Sequence, residues 1–257
     1  GGEEFKNISG WIEERLKASS HIYSVQGGES GAQEVQAIPL DELLAEADRL
    51  RIAEASIRQY ASLGEFETVD GMVFRRTDES ANVIEGDIED SRDIYWRDGS
   101  WQLLLTVNKD HLRGSGFSVP LGVAAYYGMQ VNDTVTLASR LGEQYVRVNR
   151  LKQASISTMR RFLEQLGVSE GQRVWLKLGS DKSFDVTLAY DEQPGLSGLE
   201  LLYSFVGLDP QLIEPSEAVE DSLARVNELL GLNAGAPRRR TVARFRHRRQ
   251  DDIADLI

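Results

Sequence analysis

The stretch 39-PLDELLAEADRLRIAEASIRQYASLGEFETVDGMVFRR-76 carries the clearest structural signal in the sequence. Its apolar residues recur at helical spacing over 40–50 and again over 53–62, which predicts two short helices joined by a tight connection. After Gly64 the apolar period changes to two, and Asp70-Gly71 separates the alternating segments. Asp-Gly between such segments is a strong signal for a β-hairpin. The predicted order is therefore helix, tight turn, helix and hairpin.

This order of elements resembles that of the winged helix-turn-helix families, including the sigma-region-four-like group. The resemblance implies that the second helix enters the major groove of DNA and reads bases, and that cations after the wing contact phosphates. The residues to which it assigns these roles are Ser56, Arg58 and Gln59 on the helix and Arg75 and Arg76 after the wing. Residues 38–76 carry a net charge of −3. An alternative is therefore a winged helix that only docks proteins, since phosphate attraction dominates affinity for DNA.

Residues 93–190 are predicted to form a second module, because short alternating segments rich in Val, Trp, Tyr, Phe and Thr recur through them. Two segments within this module, 120–127 and 156–166, have helical spacing instead. Part of the module also repeats after 39 residues, where GMQVNDTVTLASRLGEQYVRV aligns with GVSEGQRVWLKLGSDKSFDVT. Each copy follows the order helix, Gly-containing turn, strand, polar turn, strand. Because few positions match, chance convergence is the alternative explanation.

The segment GMQVNDTVTL resembles the Gly-Asp turn of cradle-loop barrels, a group that includes AbrB-type swapped hairpins, DNA-binding pseudobarrels and double-psi barrels. Each copy of the repeat keeps half of that motif, as Asn132-Asp133 in the first and Gly171-Gln172 in the second. The upstream segment DHLRGSGFSVP resembles the strand-to-helix entrance of DNA-binding barrels. The resemblance implies a small β-barrel with an internal pseudo-repeat that binds DNA.

Cations are concentrated in one part of this module. From Arg140 to Arg161, six basic side chains stand against the single acid Glu143. Cations gathered at a barrel rim can contact phosphates, and Arg113 in a Gly-flanked loop is predicted to add a groove contact. The predicted nucleic-acid-binding residues of the module are Arg113, Arg140, Arg147, Arg150, Lys152, Arg160 and Arg161. The alternative is an ordinary charged helix face beside a basic loop.

The remaining segments are predicted to flank or connect the two modules. Residues 1–37 are expected to form a short helix and a Gly/Ser-rich linker, and residues 77–92 an acidic linker. Residues 191–237 are acidic and show two helical patterns. Residues 238–257 contain seven Arg followed by an apolar patch. They form either a free basic arm that binds nucleic acid or an amphipathic helix docked on protein, and their apolar residues favour the second.

Composition and motifs exclude several classes of function. The chain has no Cys and three widely spaced His, so disulfides are excluded and little remains for a zinc site. The motifs GxxxxGK[ST], GxSxG, HExxH and GxGxxG do not occur. Asp181 and Asp185 fit a polar hairpin turn better than a nuclease site. We therefore expect no enzyme activity and no cofactor.

The sequence also bears on where the protein acts. No apolar run approaches the length of a membrane span, so we expect a cytoplasmic protein with no membrane partner. The first residue is Gly rather than Met, as expected of a trimmed protein or of a piece of a longer one.

The sequence as a whole predicts an α+β multi-domain protein with an N-terminal winged helix-turn-helix, a central small β-barrel and a C-terminal helical segment. The leading hypothesis is a noncatalytic protein that binds double-stranded DNA, or that portion of a larger nucleic-acid machine. The net charge of −12 and the pI near 4.8 argue against it at first, but the negative charge is concentrated in the connecting segments. The alternative is a protein–protein adaptor that uses both modules as docking surfaces for a basic partner.

Overall fold

The chain divides into two units in its computed structural model, which describes residues 8–27, 31–62, 64–76 and 84–257. The smaller unit comprises Gly1–Val83 with Asn149–Lys152, and the larger unit comprises Ile84–Val148 with Gln153–Ile257. Both units combine helices with antiparallel sheets, which confirms the predicted α+β class at this level.

In the smaller unit, the described residues form three helices and one four-stranded sheet. Its described elements are α1 (Ile8–Ala18), β1 (His21–Gly27), β2 (Gly31–Pro39), α2 (Leu40–Arg49), α3 (Glu54–Ser62), β3 (Phe66–Val69) and β4 (Met72–Arg75). The strand order is β1-β2-β4-β3, and the core includes Trp11, Leu43 and Ile57. Helices α2 and α3 lie where the apolar spacing predicts them.

The Asp70-Gly71 turn closes the predicted hairpin between β3 and β4. Val69 pairs with Met72 across the turn, and the φ angles of Asp70 and Gly71 are 50° and 74°. Two consecutive positive φ values are what a two-residue hairpin turn of type I′ requires. The hairpin is therefore fixed by local sequence.

Residues 19–36 do not form the predicted linker. Strands β1 and β2 pair in antiparallel register from His21 opposite Ala37 onwards. The Tyr23 ring stacks on Phe74 of β4 with centroids 5.4 Å apart, and its hydroxyl donates to Asp70 Oδ2 at 2.9 Å. These contacts with the second hairpin stabilise strands that local composition disfavours. Residues 28–30 of the predicted Gly/Ser linker lie outside the described residues.

The larger unit contains two sheets and seven α-helices among its described residues. Its strands are β5 (Ile94–Arg97), β6 (Ser100–Thr106), β7 (Phe117–Val119), β8 (Thr134–Leu137), β9 (Gln144–Val148), β10 (Ala154–Ile156), β11 (Arg173–Leu178) and β12 (Phe184–Leu188). Its helices are α4 (Lys109–Arg113), α5 (Leu121–Tyr126), α6 (Arg160–Leu166), α7 (Gly198–Phe205), α8 (Val219–Leu229), α9 (Arg238–His247) and α10 (Asp251–Ala254).

The two sheets have the orders β7-β10-β9-β8 and β12-β11-β6-β5 and share one core. A single parallel bridge, between Ala138 and Ser183, joins them. The internal repeat is visible in the elements, since α5 and α6 each lead through a Gly of positive φ (Gly128, Gly167) into an antiparallel hairpin. The described strands thus form two sheets joined at one point.

The C-terminal Arg-rich segment is docked on protein and is not a free arm. Phe245 and Ile253 belong to a core with α7 and α8 on the outer side of the sheet β12-β11-β6-β5. Arg248 donates to the carbonyl oxygens of Glu89 and Ile94 at 2.8 and 2.6 Å. Of the two alternatives left open by the sequence, the structure therefore has the docked helix.

The predicted acidic linker 77–92 is also corrected where it is described. Ile84 and Ile88 are buried in the core shared by the two sheets of the larger unit, and Glu89 and Asp90 form ion pairs with Arg244. The acidic residues here neutralise the buried side of α9. Residues 77–83 lie outside the described residues.

Candidate nucleic-acid interface

One face of the sheet β7-β10-β9-β8 is open and polar. Ser118, Ser155, Arg147 and Thr134 stand opposite one another on the four successive strands, and each is at least partly exposed. Their strand neighbours, such as Val148, point into the core because side chains alternate along a strand. We call this row of four residues the open face.

A groove runs beside the open face where β7 meets the loop before it. It has a volume of about 440 Å³ and is lined by Gly114, Gly116, Phe117, Ser118, Arg147, Ser155, Ile156, Ser157 and Thr158. A Cβ atom on Gly116 would lie 2.7 Å from the carbonyl oxygen of Ile156, so only glycine allows this loop to approach β10. Hydroxyl groups, loop backbone and one guanidinium therefore surround the groove.

Arg147 is the central cation of this arrangement. Its side chain is exposed, and its Cζ atom lies 5.4 Å from the centroid of the Tyr145 ring. Arg147 forms no ion pair with any residue that the structure describes. Its charge is thus available to an anion in the groove.

Arg113 and Arg160 lie next to Gly114, which lines the groove, although neither arginine is itself a lining residue. A Cβ on Gly114 would lie 3.4 Å from Arg160 Cδ, and Arg113 is the residue before Gly114. Each forms an ion pair on its own helix, Arg113 with Asp110 at 3.6 Å and Arg160 with Glu164 at 2.6 Å. All four side chains are more than half exposed, and such pairs contribute only about 0–1 kcal/mol. A phosphate could replace either carboxylate at little cost.

Arg140 and Arg161 instead make contacts within the fold. Arg140 Nε donates to Asp185 Oδ1 at 2.9 Å, and its NH1 group donates to the Gln165 side chain. Arg161 NH2 donates to the Glu143 carbonyl at 2.8 Å, while its guanidinium lies over the Phe162 ring. These two arginines fasten the β8–β9 turn to its surroundings.

Arg150 and Lys152 fall in the segment Asn149–Lys152, which is grouped with the smaller unit. Arg150 is exposed, whereas Lys152 is half-buried and has a φ of 54°. Neither residue lines the groove beside Arg147.

The predicted base-reading residues lie on α3 of the smaller unit. Arg58 and Gln59 are exposed and Ser56 is half-buried. Arg58 is paired with Glu54 one turn earlier, at 2.8 Å. Because both side chains of this i,i+4 pair are more than half exposed, it restrains Arg58 only weakly.

The two predicted wing cations are held differently from each other. Arg75 is exposed and pairs with Glu13 of α1 at 2.7 Å. Arg76 donates through Nε to the carbonyl oxygen of Phe66 at 3.1 Å. Arg76 therefore joins the two strands of the hairpin, and Arg75 is the wing cation that can exchange its partner.

His111 caps α4, the short helix that ends at Arg113. The Asn108 backbone N–H donates to His111 Nδ1 at 3.1 Å, and the His111 backbone N–H donates to Asn108 Oδ1 at 2.9 Å, which caps α4. Burial lowers the pKa of His111, with Asp110 opposing the shift. The neutral imidazole accepts the Asn108 hydrogen bond, so the cap of α4 depends on an uncharged histidine.

The hydroxyl groups of the groove are not among the residues predicted from the sequence, since that prediction rests on cations. Ser118 and Ser155 occupy outward positions of very short strands, and Ser157 and Thr158 follow β10 directly. Serine at outward strand positions, where β-branched residues are favoured, is the signal that could have found them.

Comparison of the chain with known proteins gives no match. No family model, no curated protein and no solved structure matches the chain. Within the described ranges, no helix combines the length and apolar character needed to cross a bilayer. The same residues contain no group of three His, Asp or Glu side chains arranged to hold a metal ion.

Proposed function

We propose that the chain is a noncatalytic protein that binds double-stranded DNA, alone or as part of a larger nucleic-acid machine. The single observation that carries the proposal is the open face of the sheet β7-β10-β9-β8, with Arg147 at its centre and the groove beside it. Arg147 supplies the charge, the hydroxyl groups supply neutral donors, and the Gly114–Gly116 loop offers backbone. These are the groups that proteins use to contact phosphate and sugar.

The finer architecture belongs to the same proposal. The order α2, α3, β3, β4 supports a winged helix-turn-helix in which α3 presents Arg58 and Gln59 to the major groove. The paired hairpins of the larger unit and their common core support a barrel of the cradle-loop type. Two modest binding modules on one chain raise the effective concentration of each for the same duplex. This gain can offset a net charge of −12.

The test is duplex binding measured by fluorescence anisotropy over a salt series from 50 to 200 mM. Arg147→Gln should weaken binding and reduce the slope of log K against log salt by about 0.9, since one phosphate contact is lost. Lys182→Gln is the matched control, because it removes one exposed cation from the turn between β11 and β12, away from the groove. No binding by the wild-type chain at 50 mM salt would overturn the proposal.

A second candidate, the adaptor for a basic protein, is favoured by a different cavity of the larger unit. This cavity has a volume of about 600 Å³ and is lined by Glu89, Trp96, Asp98, Trp101, Glu228, Gly231 and Leu232. The Trp96 and Trp101 rings meet at 70° with centroids 5.3 Å apart, and Trp96 is 41% exposed. Two indole rings among carboxylates suit a guanidinium group, and Arg97 already stacks on Trp175 at 4.1 Å in this chain.

The adaptor candidate is tested by calorimetric titration with an Arg-rich peptide. Trp96→Ala should abolish binding, whereas Leu188→Ala, which removes another exposed apolar side chain, should leave it unchanged. Equal affinities for the peptide in both variants would rule out the adaptor function.

A further inference from the structure

Helix α9 has one side that is fixed to the protein. Phe245 and Thr241 are fully buried, and the Thr241 hydroxyl donates to Asn227 Oδ1 at 2.6 Å. Arg244 forms ion pairs with Glu89 and Asp90, and the Arg248 guanidinium, just after the helix, is buried against backbone carbonyls. The helix is therefore ordered before any partner binds.

The other side of α9 is strongly basic and exposed. Its cationic and titratable residues are Arg238, Arg239, Arg240, Arg246, His247 and, just beyond the helix, Arg249. We call these six residues the basic face. Within the part of the chain that the structure describes, the one ion pair of the basic face joins Arg246 to Asp255 at 3.8 Å, and both side chains are at least 60% exposed.

The concentration of Arg in and just after α9 does not follow from the overall composition of the chain. Seven of the 29 Lys and Arg residues of the chain lie in residues 238–249, where there is no acid, although the chain as a whole has a net charge of −12. Three of them, Arg238, Arg239 and Arg240, fill the first turn of α9, which has no acidic residue. Cations at that end oppose the helix dipole and repel one another. Arg240 shares a cavity with Asp87, Glu89 and Asp90, whereas an anionic partner at Arg238 and Arg239 would relieve their repulsion.

The chemistry of the basic face favours phosphate as that anion. Every permanent cation on it is Arg, whose planar guanidinium matches phosphate oxygens in a bidentate manner. Because the opposite side of the helix is already packed, contact with a partner requires ordering only of side chains. The shallow surface between Arg238, Arg246 and His247 is also lined by Ala243 and Val242. These side chains are small, so they do not block access to the guanidinium groups.

We propose that the basic face of α9 is a second DNA-contact surface, which binds the sugar-phosphate backbone without reading sequence. This inference rests on the proposed function and adds a site that is separate from the groove beside Arg147. It predicts that a large share of the salt dependence of DNA binding comes from the last twenty residues of the chain.

The experiment compares two triple variants of the full chain in the same salt series. Arg238→Gln, Arg239→Gln and Arg240→Gln together should reduce the slope of log K against log salt by about 2 to 3, at roughly 0.9 for each phosphate contact. The control variant replaces Lys17, Lys109 and Lys182 by Gln and so makes the same change in net charge at scattered exposed positions. Its slope should stay close to that of the wild type, and circular dichroism confirms that both variants fold.

The possible results separate this inference from the proposed function. Wild-type binding with equal slopes in the two triple variants overturns the inference and leaves the proposed function standing. Absence of wild-type binding at 50 mM salt overturns both. Binding of a poly-glutamate peptide to the basic face, with no change in DNA binding in the Arg variant, would assign it to an acidic protein instead and also overturn the inference.

Discussion

The two sheets of the larger unit share a core but differ on their outer sides. The sheet β12-β11-β6-β5 is covered, because Tyr95, Leu104 and Trp175 on its outer side belong to a second core with helices α7 to α10. Among the residues that the structure describes, none covers the row of the sheet β7-β10-β9-β8 that contains Ser155 and Arg147, where Ser155 is half-buried and Arg147 exposed. A sheet that is apolar on both sides serves the fold, whereas one that is polar on one side is free to bind.

The sequences of the strands already differ in the same sense. Strand β6 (SWQLLLT) is buried over its first five residues and β11 (RVWLKL) over all but one, and each contains a run of three apolar residues, LLL in β6 and VWL in β11. Strand β9 (QYVRV) alternates between buried and more exposed positions. Continuous runs are expected of strands covered on both faces, and alternation of strands covered on one. The strand patterns therefore agree with one sheet that is covered on both sides and one that is exposed on one side.

The largest effect that the comparison predicts is the loss of an outer side chain from the covered sheet. Trp175 is 2% exposed and meets Tyr95 edge to face with centroids 5.9 Å apart. Trp175→Ala should lower the free energy of unfolding by about 3–5 kcal/mol, because a large buried ring is replaced by a cavity. Urea denaturation of the full chain, followed by circular dichroism, measures the change.

The matched control for Trp175 lies on the open face of the other sheet. Thr134→Ala removes an exposed outward side chain from β8 and should change the free energy of unfolding by less than about 0.5 kcal/mol. Equal losses in Thr134→Ala and Trp175→Ala would show that both outer sides are structural and would end the comparison.

A smaller loss of stability is expected when the pH is lowered, because His111 in α4 then becomes protonated. The pKa of His111 is lowered from 6.5, mainly by burial, so the unfolded chain takes up a proton at a higher pH than the native chain does. The stabilisation that depends on the neutral ring is therefore complete above pH 6.5 and is lost as the pH falls through the native pKa. The loss should be about 1 kcal/mol, the usual contribution of a helix cap.

Melting temperatures between pH 7.5 and 5 measure the His111 contribution. In His111→Gln the decline of Tm over this range should become shallower than in the wild type. His21→Gln, which changes an exposed histidine of the smaller unit, should keep the wild-type slope. A parallel decline in all three proteins would remove His111 as the cause.

Local patterns in the sequence predicted much of the fold. Helices α2 and α3 and the hairpin at Asp70-Gly71 follow from apolar spacing and turn chemistry within a few residues. The hairpin β1–β2 could not be predicted, because its strands are stabilised by contacts such as Tyr23 with Phe74, which lie far apart in the sequence. Long-range contacts override weak local propensity.

The candidate site could be predicted only as a set of cations. Of the predicted cations, Arg147 lines the groove, and Arg160 lies beside Gly114, which also lines it. Arg140 does not join them, because its partner Asp185 is 45 residues away in the chain and reaches it only through the fold. The sequence shows that an arginine is present. The tertiary structure decides whether its guanidinium group is already bound to a carboxylate or a carbonyl group of the protein.

A small predicted change in stability sharpens the comparison most, because it separates stability from binding. Ser155 lies in the middle of the open face, with Ser118 and Arg147 as its cross-strand neighbours. Ser155→Val puts a β-branched residue into a strand, which should raise the free energy of unfolding by less than about 1 kcal/mol. The same change removes a hydroxyl from the groove, so affinity for duplex DNA should fall.

Thr136→Val tests whether a loss of DNA affinity is confined to substitutions in the groove. Thr136 lies on β8 opposite Tyr145 and does not line the groove. Because Thr is already β-branched, its replacement by Val should change stability little and leave the affinity for DNA unchanged. A residue retained for packing improves or keeps both properties when its strand propensity rises, whereas a residue retained for binding loses one as it gains the other. If Ser155→Val stabilised the chain and left its affinity for DNA unchanged, the open face would not be a DNA-binding surface. The difference between the two sheets would then have no functional meaning.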